Sequence, residues 1–198
     1  MITFSVFGLI FLALGIVLYI MSNKIQEISI RYDNQCTIGK TCTVSFTINE
    51  TIAAPIYFYY QLDNFYQNHR RYVKSRSHSQ LQGTYLSASS ISTDCDPIIY
   101  MNSTGRTSFV DTSVAYNGSA PAIPCGLVAK SLFNDTYALY NLSNSALSSV
   151  TINENNIAWA SDVKYKFKNI YVDLPATATN WTQVQWTDME DGNIIDCF

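Results

Sequence analysis

The chain has 198 residues, enough for a membrane anchor and one sizeable domain. Its formal net charge of −3 gives no footing for general nucleic-acid binding. Charged residues make up 14% and aromatics another 14%, a balance poor in charge and rich in β-formers that points to an extracytoplasmic β domain.

Residues 2–21 carry no charge, and Thr3, Ser5 and Tyr19 are their only markedly polar members. Twenty helical residues span about 30 Å, the thickness of a hydrocarbon core. No basic stretch precedes the run, it exceeds the usual length of a signal-peptide core, and no small-residue cleavage site follows. The reading is therefore a transmembrane helix at residues 1–22 followed by an ectodomain at 23–198. Lys24 and Arg31 lie just after the helix, which by charge alone would put that side in the cytoplasm. The cysteines and asparagines downstream argue for the opposite side.

There are five cysteines: Cys36, Cys42, Cys95, Cys125 and Cys197. None forms C-x-x-C, and with only two histidines in the chain no metal site is expected. In an oxidising compartment, pairing by sequence neighbourhood would join Cys36 to Cys42 and Cys95 to Cys125, although connectivity is not fixed by spacing. Cys197 is left over. N-x-[ST] sequons occur at Asn49, Asn102, Asn117, Asn134, Asn141 and Asn180, about twice what composition yields by chance. Their excess is modest, but it agrees with the anchor in favouring a glycosylated, luminal or extracellular domain.

Along the ectodomain, Ile28-Ser29-Ile30-Arg31-Tyr32 alternates as a half-buried strand does. Residues 42–48 alternate without a break, with Cys42, Val44, Phe46 and Ile48 on one face. Pro55 opens a near-continuous apolar run at 56–62, the pattern of a strand buried on both faces. The next block, 64–76, reads NFYQNHRRYVKSR and concentrates aromatics, His69 and four cations. Asn64 and Gln67 match a capping box, so a helix is expected from Asn64, with Phe65, Tyr66, His69, Tyr72 and Val73 on its buried face. Arg70, Arg71 and Lys74 fall mostly off that face.

Residues 87–93 read as a polar loop. Residues 96–124 show little periodicity and read as a long glycan-bearing loop held by Cys95 and Cys125. Residues 124–133 suggest a short helix with Pro at its start. Ile157-Ala158-Trp159 is a buried-strand candidate, and 163–168 alternate with lysines outward. Trp181 and Trp186 precede an acidic turn at 188–191. The fold expected is mainly β: an N-terminal transmembrane helix, then an antiparallel β-sandwich-like ectodomain with short helices and long loops.

No nucleophile elbow, phosphate loop, dinucleotide fingerprint or zinc-protease motif is present, so no catalytic residue and no cofactor are assigned. His69 reads as a satisfied helix histidine on the core face. Arg70, Arg71, Lys74 and Arg76 read as a solvated basic face or as contacts to a partner or to lipid headgroups.

The block 64–76, followed by Gln80-Leu81 and Gly83, resembles the hallmark of the cell-division-control-protein-50 (ligand-effect-modulator) family. A second matching stretch runs from Pro124-Cys125-Gly126-Leu127 to Phe133-Asn134-Asp135-Thr136, and a weaker third is Ile157-Ala158-Trp159-Ala160-Ser161-Asp162. The end of the N-terminal segment and Ser22-Asn23-Lys24-Ile25-Gln26-Glu27-Ile28 resemble the family's first membrane helix and stalk. The similarity covers most of the chain in the family's order.

The resemblance implies a β (accessory) subunit of type IV P-type ATPase phospholipid flippases. Such a protein has two membrane helices, cytoplasmic termini and a glycosylated, disulfide-bonded ectodomain. It escorts the ATPase from the endoplasmic reticulum and supports lipid translocation without catalytic residues of its own. By resemblance Cys36–Cys42 and Cys95–Cys125 are disulfides, Asn134 is a glycosylation position, and the partners are the ATPase catalytic subunit and membrane lipids. The expected location is the secretory pathway: endoplasmic reticulum, Golgi or endosome, or plasma membrane. Two departures stand out. The family often carries two more cysteines in the first cluster, and it continues past Asp196-Cys197-Phe198 into further strands and a second membrane helix, so the chain reads as a fragment. The competing reading is a single-pass surface receptor or adhesion protein with an Ig-like sandwich, which lacks that second helix.

Overall fold

The computed structural model describes residues 2–133, 135–143, 146–154 and 157–191. The chain divides into two units, Met1–Asp63 and Asn64–Phe198.

In the first unit, helix α1 (Ile2–Ser22) is uncharged and its side chains are exposed along its whole length. Leu, Ala and Met favour the helix, and no proline interrupts it. Its length and hydropathy fit a membrane span, the environment in which an apolar surface on every side costs nothing. Beyond it, residues 28–32 and 42–48 form no ladder among the described residues, and Ile28, Ile30, Phe46 and Ile48 stay exposed. The run at 56–62, expected to be buried on both faces, is instead exposed, with Tyr59 at 80%. Alternation and β-propensity favour an extended backbone; burial comes only when a neighbouring strand or sheet supplies a partner. Cys36 and Cys42 are joined, their Cα atoms 5.6 Å apart, around a tight loop in which Gly39 takes a positive φ of 77°.

The second unit holds the core. Short helices follow in order: α2 (Arg70–Lys74), α3 (His78–Leu81), α4 (Ala88–Ile91), α5 (Met101–Thr104), α6 (Leu127–Lys130) and α7 (Ala160–Tyr165), with a 3₁₀ turn at Trp181–Gln183. Strands β1 (Leu139–Ser143) and β2 (Ala146–Val150) pair antiparallel, in register from Leu139↔Val150 to Ser143↔Ala146. This pair is the one sheet among the described residues. The expected antiparallel character and short helices are present; a two-sheet sandwich is not among the described residues.

Three buried clusters make the interior. Leu81, Ile123, Phe167, Ile170, Val184 and Met189 form the first. Ile91, Ala122 and the Cys95–Cys125 pair form the second. Met101, Phe109, Ala129 and Trp186 form the third. The adjacent residues Ala122 and Ile123 belong to two different clusters, which ties those clusters through the backbone.

Several local expectations are corrected. Residues 96–124 are not merely a surface loop: Ile98, Met101, Phe109, Ala122 and Ile123 are buried. Their irregular spacing hides them from any periodic template, because a disulfide, backbone bonds and the single turn of α5 rather than a long regular element hold them inward. The polar run at 87–93 contains α4, whose Ile91 is fully buried. Trp159 is 81% exposed and precedes α7, so 157–159 is not a buried strand. Part of the alternating run 163–168 is helical, stabilised by the Asp162–Lys166 pair at 2.7 Å across one turn.

Candidate functional site

The block 64–76 does not form a helix from Asn64. Asn64 sits at φ +58°, a left-handed position that ends any helix there, and α2 starts at Arg70. His69 is exposed and caps the helix: its Nδ1 accepts from the Arg71 N–H at 3.3 Å. It is not on a core face. Tyr72 packs edge-on against Phe65, with ring centroids 5.5 Å apart, and its hydroxyl bonds Ser131 Oγ at 2.8 Å.

The residues after α2 lock this block to the stretch at 124–133. Ser75 is buried; its Oγ donates to the Cys95 carbonyl at 3.3 Å and accepts from the Leu127 N–H at 2.9 Å. Its own carbonyl accepts from the Val128 N–H at 3.3 Å. Gly126, at φ +100°, lies so close that a Cβ there would stand 2.1 Å from the Ser75 carbonyl oxygen. Gln80 is fully buried, donating to the Ala122 carbonyl at 3.2 Å and accepting from the Cys125 N–H at 3.0 Å. Trp186 closes the other side, its indole N–H donating to the Pro124 carbonyl at 2.8 Å. Buried polar groups need such partners, so this set specifies one packing of the two stretches. Ser75, Gln80 and Gly126 were not singled out as site residues by sequence; the signal available was their place in the two motif stretches and a glycine directly after Cys125.

The four cations of the block separate. Arg70 is exposed and makes no ion pair among the described residues. Arg71 approaches Asp96 at 3.8 Å, with both side chains about two-thirds exposed. Lys74 and Arg76 instead border an open depression of about 290 Å³ lined also by Val73, Ser77, His78, Ser79 and Asp94. Arg76 is partly buried, and its Nε has no hydrogen-bond partner among the described residues.

Of the sequon asparagines, Asn49, Asn102, Asn117, Asn141 and Asn180 are exposed, while Asn134 lies outside the described residues. Asn102 sits on α5 beside Gly118, and Asn141 on β1. Asn117 Oδ1 accepts from the Ser119 N–H at 3.1 Å, and Thr182 Oγ1 donates to Asn180 Oδ1. Cys197 also lies outside the described residues. Among the described residues no His, Cys, Asp and Glu side chains gather as a metal site.

Comparison with known proteins decides the family. The model of the LEM3 (ligand-effect modulator 3) family / CDC50 family matches residues 18–196. The chain belongs to this family. It is 36% identical over 180 residues to cell cycle control protein 50A of Bos taurus, covering 84% of the chain and 45% of that protein. It is 40% identical over 182 residues to ALA-interacting subunit 3 of Arabidopsis thaliana, covering 84% and 46%. Cell cycle control protein 50B of Homo sapiens is 32% identical over 181 residues, covering 82% and 47%. The chain spans about half the length of the curated relatives it matches. The family match includes both stretches that Ser75, Gln80 and Gly126 tie together.

Proposed function

We propose that this chain is part of a non-catalytic accessory subunit of a phospholipid-translocating P-type ATPase, needed for that enzyme's folding, exit from the endoplasmic reticulum and lipid flipping. The observation that carries the reading is the family match across residues 18–196, with relatives that include an ALA-interacting subunit. Residues 1–22 serve as the membrane span and 23–198 as the extracytoplasmic domain of an integral membrane protein of the secretory pathway. An apolar helix exposed along its length, the Cys36–Cys42 and Cys95–Cys125 links and five exposed sequon asparagines support that division. The alternating segments 28–32 and 42–48 supply strands of an antiparallel sandwich once partner strands pair with them. Docking falls to the exposed cations Arg70 and Arg71, which are open to a partner's loops. The test is co-purification of the full-length protein in mild detergent. Recovery of a P-type ATPase is expected, and recovery of none overturns the reading.

A further inference from the structure

Asn117 and Gly118 form the one Asn-Gly step in the sequence. The asparagine is exposed and opens a tight turn. The Ala120 N–H donates to its carbonyl at 3.0 Å, and the Ser119 N–H donates to its Oδ1 at 3.1 Å. Helix α5 holds this turn in place: the Asn102 N–H donates to the Gly118 carbonyl at 3.2 Å, and the Met101 N–H to the Ala120 carbonyl at 3.0 Å. The amide carbon of any asparagine is open to attack by the main-chain nitrogen of the next residue, since the bond closes an unstrained five-membered ring. Most side chains at that next residue crowd the approach, whereas glycine has none. The turn adds a second advantage. During the attack charge gathers on Oδ1, the atom to which the Ser119 N–H already donates, so the backbone stabilises the developing oxyanion.

We propose that Asn117 is a self-modification site: in the folded turn it cyclises onto Gly118 and opens to aspartate or isoaspartate, unless a glycan occupies it first. The Gly118 nitrogen gives its proton to solvent base and bonds to Asn117 Cγ. The tetrahedral centre collapses and expels Nδ2, which leaves as ammonia with a proton from solvent. Water then adds to one of the two carbonyls of the succinimide ring and breaks that carbon's bond to the ring nitrogen. One water is consumed, one ammonia is released, and nothing is oxidised or reduced. The sequon Asn117-Gly118-Ser119 gives the same side chain a second fate, because a glycan attaches through Nδ2. Cyclisation expels that nitrogen, so the two fates exclude each other: an acid at 117 has no amide left to receive a sugar. This goes beyond the accessory role and does not involve the ATPase, so either can fail without the other.

The test uses Ser119→Ala, which removes the sequon but keeps the Asn-Gly step and the N–H at 119. Should that variant lose its fold, the unmodified chain from cells with glycan transfer blocked takes its place. The chain is purified in maltoside micelles and incubated folded at mildly alkaline pH. Samples are digested with trypsin under mildly acidic conditions, and the peptide 107–130 is weighed and fragmented to separate aspartate from isoaspartate. The same peptide, isolated beforehand and incubated alike, is the unfolded reference. Asn102 and Asn180, exposed but followed by Ser103 and Trp181, are internal controls. Asn117 is expected to convert at least as fast in the folded chain as in the peptide, and to outrun both controls by an order of magnitude. Adding Gly118→Ala is expected to slow it by a similar factor. Slower conversion in the folded chain than in the peptide overturns the proposal, since the turn would then protect the amide. So does conversion of Asn102 or Asn180 at the rate of Asn117, or an unchanged rate in a folded Gly118→Ala variant.

Discussion

At the scale of single residues, Gly126 has the least freedom to change. Its φ of +100° is a region that L side chains rarely occupy, and a methyl group there would collide with the Ser75 backbone, which cannot swing away as a side chain could. Gly126→Ala therefore combines backbone strain with overpacking and is expected to cost about 2–5 kcal/mol. The loss should appear as a lowered denaturant midpoint, whereas Gly105→Ala, where a Cβ meets nothing within 4 Å, should cost less even though it shares a positive φ. Equal losses would show that the close approach to Ser75 contributes nothing. The Arg31–Asp33 fork, at 2.6 and 2.8 Å, works in the other unit: the guanidinium holds the Asp33 carboxyl below its usual range. Both partners are exposed, so this link orders a turn rather than anchoring a core.

At the scale of elements, short helices survive here because their ends are tied. Helix α2 has five residues, well below the length that is stable alone, and relies on the His69 cap and on packing against α6. Helix α7 relies partly on Asp162, whose carboxyl is held below the ordinary carboxylate value by its bond to Lys166. A depressed folded-state pKa contributes stability that is present above the unfolded value and is lost as pH falls through the folded one. Helical chemical shifts at 160–165 should thus weaken below about pH 4, and Asp162→Asn should remove that dependence. A pH-independent α7 in the unmodified chain would contradict this. The two disulfides differ in reach, closing loops of 6 and 30 residues. In the chain-entropy model the longer is worth about 3–4 kcal/mol and the shorter about 2 kcal/mol. Cys125→Ser should lower surface expression more than Cys42→Ser, the more so because Cys125 is buried in a core cluster. Equal expression of the two would refute that ranking.

At the scale of the whole molecule, the motif divides into buried and exposed members. Its buried members, Ser75 and Gln80, hold the 64–83 stretch against 122–128. Its exposed members, Arg70 and Arg71, stay at the surface, where the proposed docking would use them. Arg70→Glu should reduce recovery of the ATPase in co-purification without altering the denaturant midpoint, since Arg70 makes no ion pair among the described residues. Unchanged recovery would return Arg70 to an ordinary solvated face. A simultaneous fall in stability would mean that the residue acts through the fold instead.

The features legible in the sequence were those encoded locally. An uninterrupted apolar run of the right length reads as a spanning helix because rise per residue is fixed, and a long motif identifies a family because its residues are contiguous. What only the tertiary structure decided were matters of which distant backbone groups needed partners. The cap moved from Asn64 to His69 because Asn64 takes a left-handed turn. The aperiodic stretch 96–124 became core because the Cys95–Cys125 link and bonds such as Trp186 N–H to the Ile123 carbonyl hold it inside. The alternating segments of the first unit remained exposed, since a strand pattern does not contain its own neighbour. In the block 64–76, the sequence brought the four cations together. The fold then divided them, setting Arg70 and Arg71 at the surface and leaving Arg76 partly buried, its Nε without a partner among the described residues.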